Sequence, residues 1–174
     1  QDEPVDALEA LWNYTQLASD QYSAKKLFVT ETLQLAIGGI PKETTAKLSH
    51  RAENEALSLI RSRPFDAEVM RALMSFYEMS NQTEKAAQVP DLVGHDSTNA
   101  KLLAQCGYIL ATEGYAQKAL DYYDRALARD PANPLILMNR ASCFTRLDRW
   151  EEASGVYRQN IEHGVAGKPF HLHE

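Results

Sequence analysis

An all-α fold built from helical hairpins is what this sequence predicts, and three observations predict it. Apolar residues recur three and four apart along most of the 174 residues. One layout of such residues returns at a period of 34 residues, first from Ala100 and again from Pro134. Residues suited to turns, Asn81, Gly114, Pro131 and Asp148, fall between the periodic segments. With 44% hydrophobic residues and only 8 Gly and 7 Pro, the chain has enough material for a core and too few breakers for a fibrous or disordered class.

Residues 1–64 read as an N-terminal helical segment. Val5, Leu8, Leu11, Trp12 and Leu17 follow helical spacing, and Trp12 reads as core. A second helix fits AKKLFVTETLQLAIGG, closed by Gly38 and Gly39. A third opens at Pro41, a residue suited to a first helical turn, and runs through ETTAKLSHRAENEALSLIRSR to Pro64. Ala52, Ala56 and Pro64 read as the remnant of another repeat's second helix, and the number of units in this third is left open.

Beyond residue 67 the layout repeats, most cleanly over residues 100–133 and 134–167. Counting each unit from one, position 4 is Leu103 and Leu137, position 8 Gly107 and Ala141, and position 11 Leu110 and Phe144. Position 20 is Ala119 and Ala153, and position 24 is Tyr123 and Tyr157. The first unit adds Ala126 at 27 and Pro131 at 32, where the second has Asn160 and Val165. The first three positions share one helical face and the later ones share a face on a second helix, so each unit is two antiparallel helices. Small residues at 8 and 20 let the helices approach, and large residues on either side fill the gap. Residues 67–99 read as a degenerate copy: Met70, Leu73, Tyr77 and Ala86 fit, Asn81 takes the turn, but Pro90 stands where an aromatic belongs and should shorten the second helix. Residues 168–174 read as a tail.

These residues resemble the tetratricopeptide repeat family, with Cys106 an acceptable small apolar residue at position 7 and Arg140 a departure there. The resemblance implies a right-handed helical-repeat array whose first helices line a concave groove that grips a peptide or a helix. It places Lys101, Ala104, Tyr108 and Ala111, then Leu135, Met138, Ser142 and Thr145, on that groove. The degenerate unit supplies Glu68, Arg71, Ser75 and Glu78. Tyr108 and Met138 are the expected anchors, since Tyr is a frequent hot spot and Met adapts to varied partners. The alternative is that both pack against the N-terminal helices. Asn139 falls where one subfamily places an Asn of its carboxylate clamp, but Ala104 and Tyr108 stand where that clamp needs its other donors, so binding of chaperone tails is not expected.

The formal net charge of −6 and pI near 5.4 weigh against nucleic acid, and no run of about 18 apolar residues offers direct membrane insertion. Two cysteines, Cys106 and Cys143, sit in predicted helices and read as buried, reduced thiols, which favours a soluble cytoplasmic setting over a periplasmic or secreted one. The compartment itself is left unassigned, because a chain beginning at Gln1 fits a cleaved signal peptide and also a domain cut from a longer protein. His163, His171 and His173 read as a solvated cluster rather than a metal site, and His50 and His95 lack partners in the pattern. Asp121, Asp124, Glu151 and Glu152 fall on solvent-facing positions, and Trp150 reads as a packed aromatic. No catalytic, cofactor or metal motif stands out. The expectation is a protein–protein interaction module, a scaffold or adaptor for another protein or a peptide, with homo-oligomerisation a further option. The alternatives are a secretion-type chaperone for a hydrophobic client and the interaction domain of a larger enzyme, such as a cell-envelope enzyme or a glycosyltransferase.

Overall fold

The computed structural model describes residues 3–38, 42–63 and 65–162. Expectations placed on Gly39, Pro41, Pro64, His163, Val165, His171, His173 and the tail lie outside the described residues. Among the described residues there are ten helices and no strand. The chain divides into two compact units, Gln1–Val93 and Gly94–Glu174.

In the first unit, α1 (Glu3–Leu17) packs on α2 (Gln21–Ile37), which also packs on α3 (Lys42–Ser62) and α4 (Ala67–Met79). The core is Phe28, Val29 and Leu33 from α2, Leu48, Ala52, Ala56 and Ile60 from α3, and Val69, Met70, Leu73 and Met74 from α4. Each large side chain so buried contributes about 1.5–3 kcal/mol. Ala52 and Ala56 lie one turn apart on the face of α3 that faces its neighbours, where small side chains let helices come close. Leu17, placed in the apolar stripe by spacing, is 87% exposed because the buried face of α1 runs through Leu8 and Thr15, and Leu17 falls on the opposite side of the helix. Trp12 is half-buried: its ring sits 5.1 Å from that of Phe28 and carries the Arg51 guanidinium 4.7 Å above it. Pro90 acts as expected, since α5 (Thr83–Gln88) stops after six residues and is followed by a short turn of helix, α6 (Asp91–Gly94).

The second unit holds α7 (Ala100–Thr112), α8 (Ala116–Leu127), α9 (Pro134–Arg146) and α10 (Trp150–Glu162). Each helix packs on the next, and α7 also touches α9. Leu103, Cys106, Ile109 and Leu110 of α7 meet Ala119, Tyr122, Tyr123 and Ala126 of α8 in the core, and Leu137, Ala141, Cys143 and Phe144 continue it. Cys106 and Cys143 are buried and form no disulfide, as their positions inside helices predict. The small residue at position 8 does have a close neighbour, but it is the aromatic of position 24. A Cβ added at Gly107 would meet three atoms of the Tyr123 ring before any other group.

Two local devices recur with the repeat. Asp66, Asn99 and Asn133 each stand one residue before a first helix and accept from its first free N–H groups: Asp66 from Glu68 and Val69, Asn99 from Leu102, Asn133 from Leu135 and Ile136. Asp20 does the same for α2, accepting from the Ser23 N–H at 3.1 Å. The far ends of α4, α7 and α9 each close on a left-handed residue: Asn81 with φ 58°, Gly114 with φ 93° and Asp148 with φ 57°. The residue after each donates its N–H to the carbonyl five back, Gln82 to Tyr77 at 2.8 Å, Tyr115 to Leu110 at 2.8 Å and Arg149 to Phe144 at 2.9 Å. This is the glycine-type helix stop in which a backwards loop satisfies carbonyls the helix leaves unpaired. Only Gly114 adopts it without a Cβ penalty.

Candidate protein interface

The site residues expected on first helices fall on two separate units. Arg71 is half-buried on α4 in the first. In the second unit, Lys101 is exposed and Ala104 and Tyr108 are half-buried on α7, three and four residues apart and so on one face. On α9, Leu135 and Asn139 are half-buried, Ser142 is exposed, and Met138 is 39% exposed. The neighbouring positions on both helices, Leu103, Gly107, Leu137 and Ala141, are buried. The side chains expected to face a partner are at least partly accessible, as are Leu102, Gln105, Arg140 and Arg146 on the same helices. Ala111 is the exception at 8% exposed. Its carbonyl accepts a hydrogen bond from the Arg146 guanidinium, which ties the end of α9 to the end of α7.

A different surface lies between α8, α9 and α10, where a cleft of 380 Å³ is lined by Asp121, Asp124, Arg140, Phe144, Arg149 and Glu152 among others. The Arg140 and Arg149 guanidiniums each stand 4.7 Å from the Phe144 ring centre. Each is also paired with a carboxylate: Arg140 Nε to Asp124 Oδ1 at 2.6 Å, Arg149 Nε to both oxygens of Glu152 at 3.0 and 2.9 Å. The hydrogen bond from Arg149 holds the Glu152 carboxyl below its ordinary range. The Arg140–Asp124 pair ties α9 to α8, whereas the Arg149–Glu152 pair is local to the start of α10. Burial pushes the Cys143 thiol up to about 11, so it stays protonated and unreactive.

Sequence reasoning missed Arg125. Its guanidinium donates to the carbonyls of Gly94 at 2.8 Å and His95 at 2.5 Å, with a longer contact to Ser97 at 3.4 Å. It pins the segment entering α7 to the side of α8. No repeat position marks such a residue, and the one trace in the sequence is Gly94, whose place a Cβ could not take without meeting Tyr122 at 2.6 Å and the Cys106 sulfur at 2.9 Å.

Two aromatic expectations on α10 are corrected. Trp150 is 60% exposed and Tyr157 37%, with Ile161 beside them at 67%. The matching positions of α8 are Ala116 at 6%, Tyr123 at 0% and half-buried Leu127. The difference has a structural cause: α9 packs on α8, whereas no described helix packs on that side of α10. Asn160, at the place of Ala126, is 3% exposed with neither polar atom of its amide hydrogen-bonded.

Among the described residues no group of three or more His, Cys, Asp or Glu is placed to hold a metal ion, and no helix is long and apolar enough to cross a membrane. Comparison with known proteins gives a match to the tetratricopeptide repeat family over residues 100–143, that is α7, α8 and most of α9. No curated protein sequence matches the chain. Solved structures similar to it include MamA, 12% identical over 91% of this chain and 86% of that one, with a TM-score of 0.47. MamA from Desulfovibrio magneticus RS-1 is 14% identical over 93% of this chain and 98% of that one, with a TM-score of 0.43. MamA AMB-1 is 16% identical over 96% and 91%, with a TM-score of 0.44.

Proposed function

We propose that this chain is a protein-interaction module, a scaffold or adaptor without catalytic activity, whose tetratricopeptide hairpins hold another protein or a peptide against the accessible face of their first helices. The units run over residues 67–99, 100–133 and 134–167, following the N-terminal helical segment. The observation that carries the reading is Met138, which keeps 39% of its surface accessible on α9 while Leu137 and Ala141 beside it are buried. A flexible apolar side chain left open at an expected contact position favours binding over packing, because a core role would have covered it. Tyr108 and Met138 act as anchors, and Lys101, Ala104, Leu135, Asn139, Ser142 and Arg71 frame them. Tyr108 brings apolar area with a polar tip, the combination that makes tyrosine a frequent hot spot.

The test compares what wild type and a Tyr108→Ala, Met138→Ala double variant recover from the native extract, with circular dichroism confirming equal helicity. A protein recovered by wild type and lost from the variant supports the reading and identifies the partner. Equal recovery of every protein by both removes these first-helix faces from the interface.

A further inference from the structure

The first unit carries a second recognition feature, distinct from the α7 and α9 face. A cleft of 570 Å³ opens between the N-terminal half of α3 and the C-terminal ends of α2 and α4. Its apolar wall is Ala36, Ile37, Ala46, Phe76 and Met79, the last 63% exposed. Thr45, Ser49 and Glu53 are four residues apart on α3 and so project from one face of the helix along its floor.

Three observations give the cleft a sign. Glu53 is half-buried, and its Oε1 accepts from the Tyr77 hydroxyl at 2.7 Å, while no ion pair engages it among the described residues. Burial, aided by that bond to Glu53, pushes the Tyr77 phenol up, so it stays a neutral donor and cannot balance the carboxylate charge. The last turns of α2 and α4, which form the opposite wall, contain no basic residue, so no cationic side chain there offsets the negative ends of the two helix dipoles. Among the described residues no Lys or Arg lines the cleft, and the His50 ring is already engaged with the Asn54 amide at 3.1 Å. Independently, Ser49 is 6% exposed and its Oγ has no hydrogen-bond partner. A buried hydroxyl without a partner costs free energy unless something arrives to bond it.

We propose that this cleft receives a lysine or arginine side chain from a partner protein. The aliphatic stem lies along Phe76, Met79 and Ile37, and the cationic head meets the Glu53 carboxylate, with the Ser49 hydroxyl as a further acceptor. The chemistry selects this occupant. A purely apolar side chain would leave Glu53 desolvated and uncompensated, an anion would be repelled by the carboxylate and both helix ends, and a long amphipathic cation satisfies wall and floor together.

The experiment uses the full chain labelled at methionine methyls and backbone amides, titrated by NMR at millimolar concentrations. The probes are short glycine peptides with a central lysine, arginine, norleucine or glutamate. Lysine and arginine peptides should move the Met79 methyl and the amides of Ser49 and Glu53, and norleucine, which keeps the stem without the charge, should bind about tenfold more weakly, one ion pair's worth. Glu53→Gln retains an acceptor for the Tyr77 hydroxyl, so it folds, and it should reduce lysine to the level of norleucine. Met79→Ala, at an exposed position, should weaken lysine and norleucine alike. Equal titration by lysine and norleucine would show an apolar pocket only and overturn the proposal. Unchanged lysine binding in Glu53→Gln, or no shift at these residues with any peptide, would overturn it too. The Tyr108 and Met138 double variant leaves this titration intact, so failure here is distinguishable from failure of the first-helix interface.

Discussion

The ring of Tyr123 lies against the backbone of Gly107, so close that a Cβ on that glycine would stand 2.9 Å from the Tyr123 Cε1. Tyr123 is fully buried and cannot swing away, and burial pushes its phenol far above the ordinary value. Gly107→Ala therefore forces ring or helix to shift. It should destabilise the protein by about 1–3 kcal/mol, the usual cost of overpacking, read as a lower midpoint in urea. An unchanged midpoint would mean that the α7–α8 contact has slack.

The three hairpin turns offer a graded test. Asp148 holds φ 57° with a Cβ, where Gly114 holds φ 93° without one. Asp148→Gly should stabilise by a few tenths to about 1 kcal/mol, and Gly114→Ala should destabilise by about 1 kcal/mol. Thermal melts of both variants check the pair of signs, since a generic loosening by mutation would lower both.

Acid should loosen the first unit through Asp66. Burial alone would raise its pKa. Hydrogen bonds from the Lys26 ammonium, the Tyr22 hydroxyl and the Val69 N–H outweigh burial and hold it below its ordinary 3.8. A depressed folded-state pKa contributes stability that is present above the unfolded value and lost as pH falls through the folded one. Stability should thus decline on acidification below about pH 4, and Asp66→Asn, which still caps α4, should flatten that decline. Chemical denaturation at a series of pH values reads it, and parallel curves for wild type and variant would count against the assignment.

Arg125 fastens the entry to α7, and a charged hydrogen bond of this kind is worth about 1.5–3 kcal/mol when one partner is removed. Arg125→Met keeps most of the side chain's bulk and deletes its donors. Protease cleavage should then appear between His95 and Asn99 while the other connections stay resistant, and limited proteolysis with mass spectrometry locates the cut.

How far the sequence could be read followed the physics of each element. The hairpins of the second unit were legible because Leu103, Gly107, Leu110, Ala119 and Tyr123 answer to contacts between neighbours in sequence. The turns at Asn81, Gly114 and Asp148 were legible because few residues tolerate a left-handed backbone. The α2–α3 hairpin resisted a 34-residue ruler, since α3 alone runs 21 residues and first helices begin at Gln21 and Ala67, farther apart than one period. The caps Asp20, Asp66, Asn99 and Asn133 were available as Asx residues before apolar runs, and pairing each with its helix start would have found them. Trp150 and Tyr157 were misplaced because burial at their positions depends on a following helix, which local pattern does not report. The cleft beside Glu53 was beyond reach for a related reason: it is assembled from the ends of three helices, and no single stretch encodes it.

The chain has two tryptophans, and the fold gives one to each unit. Trp12 is half-sheltered between a phenylalanine and an arginine, whereas Trp150 stands in water. Their emission should differ in colour and in access to a soluble quencher. With either replaced by phenylalanine, the remaining indole becomes a private reporter of its own half of the molecule. Unfolding followed in this way would show whether the two halves melt together or in turn.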